Sequence, residues 1–307
     1  MGMVFSIIVV CLDAGDRLRE TIESIRMQTE QDYEVIIKDG GSTDEVTKRL
    51  LKEYESDGSK VQAAYKEREH TESAGHDERF RIYRSKDTGI YDGMNQAVKY
   101  VRGDYIFFLN CGDSFYDRNV LAQVKKQIER QSDKGADAGQ TEDARRPGNG
   151  RQVLHIFYGN IYERKTDMLV QSNPVIDDFA CYRNIPCHQA CFYDARLFWE
   201  RGFDIGYRVR ADYEHFLWCY YKAQAETVYM PVTVARYEGG GFSETKENRK
   251  ESQKEHAEVV NRYMPGAKVI KYRLIMALTL APLRTWMAEH PATAGFYQKL
   301  KGKLYKG

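Results

Sequence analysis

The sequence predicts an α/β fold with a mostly parallel central sheet, flanked by helices and followed by a helical C-terminal extension. Short apolar runs alternate with amphipathic helical segments from the start of the 307-residue chain. Such an alternation is typical of parallel sheets with right-handed strand–helix–strand connections. Residues 105–109 (YIFFL) form a continuous apolar run, as expected of a central parallel strand that is buried on both faces.

The first two strands are predicted at residues 5–12 (FSIIVVCL) and 33–37 (YEVII). The helix between them places Leu18 and Ile22 on one face. The second strand ends in residues 38–44 (KDGGSTD). The two glycines of this segment permit unusual backbone angles, and its Ser, Thr and Asp side chains can cap the helix that follows.

Residues 81–117 organise the predicted functional site. They predict a strand, a glycine turn, a helix and then the buried strand, which is followed at once by the polar cluster NCGD. Asn110 and Asp113 of this cluster lie outside the carboxyl end of a strand, where open α/β sheets bind their ligands. The sequence therefore predicts a ligand site at this edge of the sheet.

The helix before this strand adds three polar candidates to the site. Asp87 precedes the helix, and Asp92 and Asn95 lie on it, while its apolar residues form the opposite face. We expect these three side chains to face the same crevice.

The second half of the chain continues the α/β pattern and ends in helices. The predicted elements are strands at 153–162 and 227–237, a short helix at 194–201, a helix that opens within 208–214 (RVRADYE), and a long polar helix at about 244–263. We assign residues 1–265 to one domain and residues 266–307 to the extension.

Two polar stretches interrupt this pattern and are predicted to be surface insertions. Residues 55–78 are charged and carry few large apolar side chains, with a helical piece expected at 61–69. Residues 130–152 are richer still in Gly, Asp, Arg and Gln, and are the best candidate for a disordered loop.

The charge of the chain is unevenly distributed. The formal net charge of +1 argues against a general nucleic-acid binder. Residues 266–307, however, hold eight Lys or Arg against Glu289 alone, which predicts contact with an anionic surface, membrane lipid first; a solvated basic terminus is an equal alternative. No secretory signal and no apolar run of about 20 residues is found, so we expect a cytoplasmic protein that can contact the inner face of the cell membrane.

The six cysteines are scattered and form no evenly spaced framework, which predicts reduced thiols. Cys187, His188 and Cys191 form a C-H-x-x-C cluster that has the residue types of a zinc site. A fourth ligand is not evident in the sequence.

Three carboxylates fall at separate strand ends or helix starts: Asp39, Asp113 and Asp212. Carboxylates so placed suit nucleotide chemistry, because Mg²⁺ or Mn²⁺ takes oxygen ligands and bridges a diphosphate. A carboxylate at a helix start stays ionised and can take a proton from a hydroxyl. Each of the three, taken alone, is better explained as a helix cap or a solvated turn, and it is the occurrence of all three at such positions that favours nucleotide chemistry.

Several motifs of other enzyme classes do not occur. The first strand is not followed by G-x-G-x-x-G, and the chain holds no G-x-x-x-x-G-K-[ST], G-x-S-x-G or H-E-x-x-H. These absences argue against dinucleotide-binding Rossmann proteins, P-loop NTPases and the corresponding hydrolases.

Four segments closely resemble the nucleotide-sugar-binding half of family 2 glycosyltransferases with the GT-A fold: FSIIVVCLDAGDRLRETIESIRMQT, EVIIKDGGSTDE, DTGIYDGMNQAV and GDYIFFLNCGD. The later segments HQACFYDARLF and ADYEHFLW resemble the acceptor half of that family. The resemblance covers about residues 4–125 and 153–262. It is strongest to the bacterial enzymes that build exopolysaccharide, colanic acid or O-antigen units.

The resemblance implies roles for the three carboxylates. Asp39 matches the acid that contacts uracil, and Asp212 matches the catalytic base. Asp113 matches the metal-binding acid of a D-x-D-like motif. In this chain the motif is NCGD and contains fewer acids than usual, so we expect weaker binding of Mn²⁺ or Mg²⁺, or a metal held largely through the diphosphate of the donor.

The resemblance also implies roles for the remaining candidates. Asp87, Asp92 and Asn110 match the donor pocket, and Asn95 either joins them or only braces its helix. The acceptor and diphosphate side is assigned to His188, Gln189 and Glu214.

The resemblance as a whole implies an inverting glycosyltransferase with a nucleotide-diphosphate-sugar donor, expected to be UDP-linked. The acceptor is expected to be a hydroxyl of a saccharide or of a polyprenyl-diphosphate-linked saccharide. Two alternatives stay open. A sugar nucleotidyltransferase should carry a glycine-rich basic loop after strand 1, where this chain has DAGDR. A non-catalytic nucleotide-sugar-binding subunit would fit the depleted metal motif.

Overall fold

The computed structural model describes residues 4–56, 79–138, 153–239 and 246–278. The chain divides into two compact units, of which the first ends at His256 and the second begins at Ala257. The described strands are β1 (Phe5–Cys11), β2 (Tyr33–Asp39), β3 (Phe80–Arg84), β4 (Tyr105–Phe108), β5 (Ser114–Phe115), β6 (His155–Glu163), β7 (Met168–Val170), β8 (Cys191–Asp194) and β9 (Glu226–Tyr237). The described helices are α1 (Asp16–Arg26), α2 (Glu45–Ser56), α3 (Ile90–Val98), α4 (Val120–Ala138), α5 (Asp178–Arg183), α6 (Ala195–Glu200), α7 (Ala211–Tyr221), α8 (Lys246–Tyr263) and α9 (Gly266–Leu278), with a 3-10 turn at His188–Ala190.

One sheet runs through the first unit, with the strand order β3-β2-β1-β4-β8-β6-β9-β5 and with β7 paired to β6. The first four strands are parallel, as the alternating strand–helix pattern predicts. Beyond β4 the sheet is mixed, because β8 runs antiparallel to both β4 and β6, while β6 and β9 are parallel. The predicted α/β fold is therefore confirmed.

The core of the sheet is built from the apolar runs that predicted its strands. Phe107 of β4 is fully buried and stacks on Phe192 of β8, with ring centroids 4.4 Å apart. Its ring also stacks on Phe115, at 5.2 Å. Because β1, β2 and β4 are parallel, their carboxyl ends lie at one edge of the sheet, where Cys11 is in register with Asp39. This edge positions the candidate site.

The structure departs from the sequence prediction at α4. This helix continues to Ala138, so residues 130–138 of the predicted disordered loop are helical. Its first turns bury Val120, Leu121 and Val124, and the polar continuation extends this anchored amphipathic helix. The rest of that stretch, 139–152, and the predicted helical piece at 61–69 lie outside the described residues.

The second unit contains the end of α8 and the whole of α9. The predicted domain boundary after residue 265 falls between these two helices. Among the helices that the structure describes, none is both long enough and apolar enough to cross a bilayer.

Candidate functional site

A cavity of about 690 Å³ opens at the carboxyl edge of the parallel strands. One wall is formed by the end of β1, by the start of α3 and by the cluster from Asn110 to Asp113. The opposite wall is formed by residues near β7, by the 3-10 turn and by the start of α7, which brings Asp212 to the cavity. The cavity is therefore lined by residues from both the first and the second half of the described chain.

Asp113 is almost fully buried in this cavity, with 3% of its surface exposed. Its Oδ1 accepts a hydrogen bond from the backbone N–H of Glu238 (2.9 Å), and its Oδ2 accepts one from Nε2 of Gln189 (3.1 Å). Burial nevertheless raises the pKa of Asp113 to about 6, because these bonds and the charge of Arg17 offset the desolvation only in part.

The loop that carries Asp113 is held by Thr21 of α1. The Thr21 hydroxyl donates to the carbonyl of Asp113 (2.7 Å) and accepts from the N–H of Gly112 (3.0 Å). Gly112 has a φ of +97°, and a Cβ there would lie 2.4 Å from Oε2 of Glu238, which is ion-paired with Arg17. This position favours glycine, because a side chain would be strained at this positive φ and the ion pair would have to move.

A hard cation fits the oxygen atoms on this side of the cavity. The side-chain oxygen of Asn110 is buried and has no hydrogen-bond partner among the described residues. Asn110 and Asp113 both line the cavity, and together they offer one amide oxygen and one carboxylate, which are ligands that Mg²⁺ and Mn²⁺ accept. Among the described residues no group of three His, Cys, Asp or Glu could hold a metal, so substrate oxygens would have to complete such a site.

The C-H-x-x-C cluster is not among any group of three His, Cys, Asp or Glu that could hold a metal in the described part of the chain. Burial raises the pKa of the Cys187 thiol to about 12 and raises that of Cys191 well above its usual range, so both carry their protons. The Cys187 thiol lies 2.9 Å from Oε1 of Gln189, and the Cys191 thiol lies 3.3 Å from the carbonyl of Cys187.

Asp212 lies in the first turn of α7, where the helix N-terminus favours a negative charge. Its Oδ1 is 3.0 Å from the hydroxyl of Tyr91, which belongs to α3 on the other wall. The segment before it is held by Glu255 of α8, whose carboxylate accepts from three consecutive backbone N–H groups at 2.7, 3.0 and 2.8 Å: those of Arg208, Val209 and Arg210. The start of α7 is thus fixed from both sides.

His188 lines the cavity and has an unusual environment. It is only 7% exposed, and both of its ring nitrogens are buried without a hydrogen-bond partner among the described residues. Its ring stacks on Phe108, with centroids 4.9 Å apart. Burial lowers the pKa of His188, so the imidazole is neutral at pH 7 and offers one donor and one acceptor to a ligand.

Asp39 does not line the cavity. Its Oδ1 accepts from the hydroxyl and the N–H of Ser42 (2.6 and 3.0 Å) and so anchors the glycine turn after β2. Its Oδ2 lies 3.7 Å from Nε of Arg84. The predicted contact with a nucleotide base stays a prediction.

The three candidates around α3 are also absent from the cavity wall. Asp87 forms an ion pair with the buried Lys38 (3.0 Å), and Asp92 accepts from the N–H of Thr88 (2.8 Å) in the segment before α3. The amide of Asn95 is bonded through its nitrogen to the carbonyl of Phe203 (2.9 Å) and through its oxygen to the N–H of that residue (2.8 Å). Asn95 therefore ties α3 to the loop after α6.

Glu214 does not reach the cavity either. It is fully buried, and both of its oxygens bind Nη2 of Arg201, at 2.7 and 2.8 Å. The sequence indicated an acceptor-side residue, whereas in the structure this carboxylate belongs to a buried ion pair. Of the predicted residues, Asn110, Asp113, His188, Gln189 and Asp212 share the cavity.

Sequence reasoning missed Arg17, Glu238, Tyr91 and Glu255. Tyr91 lies in the segment GIYDGMN, between residues that were singled out, and its spacing from Asp87 and Asn95 was the available signal. Glu255 lies in a long polar helix in which no local pattern distinguishes it from other acids.

Comparison with known proteins identifies the family to which the chain belongs. The family model described as "Glycosyl transferase family 2" matches residues 6–185. A PGL/p-HBAD biosynthesis glycosyltransferase of Mycobacterium tuberculosis is 33% identical over 244 residues, which cover 79% of this chain and 80% of that protein. An uncharacterized glycosyltransferase of the same species is 26% identical over 235 residues, covering 75% of this chain and 71% of that protein.

Two solved structures have a similar fold at low sequence identity. Staphylococcus aureus TarS 1-349, in complex with UDP, matches with a TM-score of 0.61 and 13% identity, covering 94% of this chain and 75% of that one. The mannosyltransferase PcManGT from Pyrobaculum calidifontis, in complex with GDP-Man and Mn²⁺, matches with a TM-score of 0.58 and 12% identity, covering 100% and 82%.

Proposed function

The chain belongs to glycosyl transferase family 2, and from this premise we propose that it is an inverting enzyme that moves a sugar from a nucleotide-diphosphate donor to a hydroxyl of a saccharide acceptor. The observation that carries the proposal is that Asp113, which follows β4, and Asp212, at the start of α7, line the same cavity. The two carboxylates have different environments, as separate metal-binding and proton-accepting roles require.

Asp212 acts as the general base. It takes the proton of the acceptor hydroxyl while the acceptor oxygen forms a bond to the anomeric carbon of the donor sugar. The bond between that carbon and the diphosphate oxygen breaks, and its electron pair leaves with the nucleoside diphosphate. A single displacement of this kind inverts the configuration of the anomeric carbon.

Asp113 and Asn110 hold the divalent cation, Mn²⁺ or Mg²⁺, that we propose as the cofactor. When bound, this cation supplies charge neutralisation at the donor diphosphate. Gln189 fixes the orientation of the Asp113 carboxylate, and the neutral His188 donates to or accepts from a substrate hydroxyl. A phosphate oxygen is the poorer match for His188, because it only accepts hydrogen bonds.

The donor is a UDP-sugar in this proposal, with Asp39 at the base. The fold likeness to TarS, whose structure holds UDP, supports a nucleotide donor, and the PcManGT complex with GDP-Man and Mn²⁺ supports the metal. Asp87 and Asp92 would support the donor pocket from behind the cavity wall, through the start of α3.

Two arginines, Arg183 and Arg210, line the cavity, which supports an acceptor with a phosphate near the reacting sugar. Arg210 lines the cavity with Nε held by Ser252 (2.7 Å), and Arg183 also lines it, with a guanidinium that has no hydrogen bond or ion pair to the described residues. A polyprenyl-diphosphate-linked saccharide of bacterial surface polysaccharide synthesis would satisfy both. Such an acceptor would place the enzyme at the cytoplasmic face of the membrane.

The experiment that tests the proposal begins with thermal unfolding in the presence of UDP, GDP, ADP or CMP, each with and without Mn²⁺. A nucleotide at 100 times its dissociation constant stabilises a protein by about 2.7 kcal/mol. We expect a stabilisation by UDP that requires Mn²⁺ and is lost in Asp113→Ala. UDP release from UDP-sugars should then disappear in Asp212→Asn, which keeps the nucleotide-dependent shift.

The outcomes separate the proposed enzyme from the alternatives. A shift with GDP instead of UDP changes the donor but keeps the reaction. Nucleotide binding without any release from nucleotide sugars favours a non-catalytic binding subunit. Full turnover in Asp212→Asn contradicts the assignment of the base.

A further inference from the structure

Tyr91 links the two walls of the cavity through its hydroxyl. The residue is partly buried in the first turn of α3, and its ring packs on Phe203, with centroids 5.2 Å apart. Its hydroxyl lies 3.0 Å from Oδ1 of Asp212 and 2.9 Å from the carbonyl oxygen of Val209. Both acceptors belong to the segment that opens α7.

The hydroxyl carries one proton and faces two acceptors, so the two hydrogen bonds cannot both be at full strength. Burial and the adjacent Asp212 carboxylate raise the pKa of Tyr91 well above its usual range, and the phenol therefore keeps its proton at neutral pH. An ionised carboxylate is a stronger acceptor than an amide carbonyl, whereas a protonated carboxyl oxygen is a weaker one. Which of the two acceptors the Tyr91 hydroxyl binds more strongly must therefore depend on whether Asp212 is ionised.

We propose that Tyr91 is a positioning residue for Asp212, whose hydroxyl donates to the ionised carboxylate before the reaction and turns to the Val209 carbonyl once the carboxyl group has gained its proton. The inference rests on the proposed function, in which Asp212 is the base. The turn is a rotation about the Cζ–O bond of the phenol, so no covalent bond forms or breaks. Oδ1 is held by Tyr91, which leaves Oδ2 for the acceptor proton.

Several other titratable groups influence Asp212 from the elements around it. The charge of Asp212 acts on His188, Cys187, Cys191 and Tyr193, and Arg210 is the cation that acts on the Tyr91 hydroxyl. The thiols and the Tyr193 phenol stay neutral below pH 8, because burial raises the pKa of each. Near neutral pH, the charge-dependent bond at Oδ1 is therefore the one to Tyr91.

The test uses Tyr91→Phe, which keeps the ring and its packing but removes the hydroxyl. The matched control is Tyr221→Phe, since the hydroxyl of Tyr221 also binds a carboxylate, Oδ1 of Asp178 at 2.6 Å, and does not line the cavity. The assay is release of UDP from UDP-glucose and UDP-N-acetylglucosamine, and of GDP from GDP-mannose, with Mn²⁺ between pH 5 and 9.

We expect Tyr91→Phe to move the acid limb of the pH–rate profile upward by about one pH unit, because the lost hydrogen bond favours the ionised carboxylate, and to lower the rate most at the acid end of the range. Nucleotide affinity should stay within about twofold, because no bond to the donor is removed. Tyr221→Phe should leave the pH profile unchanged. A Tyr91→Phe profile that keeps the wild-type acid limb overturns the inference, even if the rate falls.

A second measurement does not depend on activity. A double-mutant cycle of Tyr91→Phe and Asp212→Asn, measured by urea unfolding, should show a coupling of about tenfold in the unfolding equilibrium constant at pH 7 that shrinks at pH 4. A coupling of equal size at both pH values, or none, overturns the inference. Absence of nucleotide release from the wild type contradicts the proposed function, and this cycle still decides whether Tyr91 responds to the charge of Asp212.

Discussion

At the scale of single residues, Asp113 shows that burying a carboxylate in a binding cavity destabilises its ionised form. Its pKa is raised to about 6 by burial, even though both oxygens accept hydrogen bonds. The folded pKa lies above the usual value of 3.8, so the folded state binds the proton more tightly than the unfolded state. The resulting stability is present below pH 4 and is lost as the pH rises through about 6.

Asp113→Asn should therefore stabilise the metal-free protein at pH 7.5, by about 1 to 3 kcal/mol, because the neutral amide avoids the desolvation of a charge. The gain should shrink toward zero at pH 4, and the Mn²⁺-dependent stabilisation by nucleotide should disappear. Urea unfolding with EDTA at the two pH values measures this.

The exposed Asp117, which lies just beyond β5, offers a control, and Asp117→Asn should change the stability by much less at either pH. A wild-type protein that is more stable than Asp113→Asn at pH 7.5 would contradict the argument. It would mean that the hydrogen bonds from Glu238 and Gln189 outweigh the cost of burial.

At the scale of secondary-structure elements, the start of α7 depends on a distant helix. Three backbone N–H groups before Asp212 are bound by the two oxygens of Glu255, which is 4% exposed. α8 thus takes part in the site without touching the cavity. The loop before Asp212 has its orientation set by a carboxylate about forty residues further along the chain.

Glu255→Gln should loosen this loop, because an amide group keeps one accepting oxygen and turns its NH₂ toward a backbone N–H. We expect a loss of about 2 to 3 kcal/mol in the free energy of unfolding and a fall in kcat without a matching loss of nucleotide affinity. Unfolding curves and nucleotide titrations of the same preparation measure the two effects.

Glu251→Gln on the same helix is the matched control. Glu251 pairs only with Lys254 at 3.2 Å on an exposed face in the described part of the chain, and such pairs contribute about 1 kcal/mol or less. Equal effects of the two substitutions would show that α8 matters through its charge and not through Glu255.

The elements also show how far the sequence could be interpreted. The strands β1, β2 and β4 were predictable because buried parallel strands are continuous apolar runs, and the cluster after β4 followed from the position of ligand sites in such sheets. β5 has only two residues, too few to show the alternation of apolar and polar side chains that marks a strand. α4 continues for several turns beyond the apolar residues that predict a helix. Tyr91 and Glu255 act through contacts with residues far along the chain, and Asn95 binds a loop more than one hundred residues away. No local pattern records such contacts.

At the scale of the whole molecule, α9 in the second unit carries an exposed apolar face. Ile270, Leu274 and Leu278 are 61%, 59% and 82% exposed, and they share one face because they recur every fourth residue. Lys271 and Arg273 flank this face on either side. An exposed apolar stripe with basic flanks is typical of helices that lie in a membrane interface.

We therefore expect the protein to bind vesicles that contain anionic lipid and to bind neutral vesicles much more weakly, since each basic side chain near the surface contributes about 1 kcal/mol. Deleting residues 266–307 or introducing Ile270→Glu with Leu274→Glu should lower binding in a sedimentation assay. Ile205→Glu is the control, because Ile205 is 58% exposed and belongs to the first unit. Unchanged binding after the deletion would leave the basic residues as a solvated terminus.

The order of strands in the sheet has a consequence for folding during synthesis on the ribosome. β4 pairs with β1 on one side and with β8 on the other, so its second edge is closed only when Cys191–Asp194 has been synthesised. Until then the nascent chain exposes the unpaired edge of a buried apolar strand, which is a template for association with other chains. We therefore expect the residues before β8 to need protection by a chaperone on the ribosome. A chain truncated before β8 should aggregate instead of folding as a separate domain.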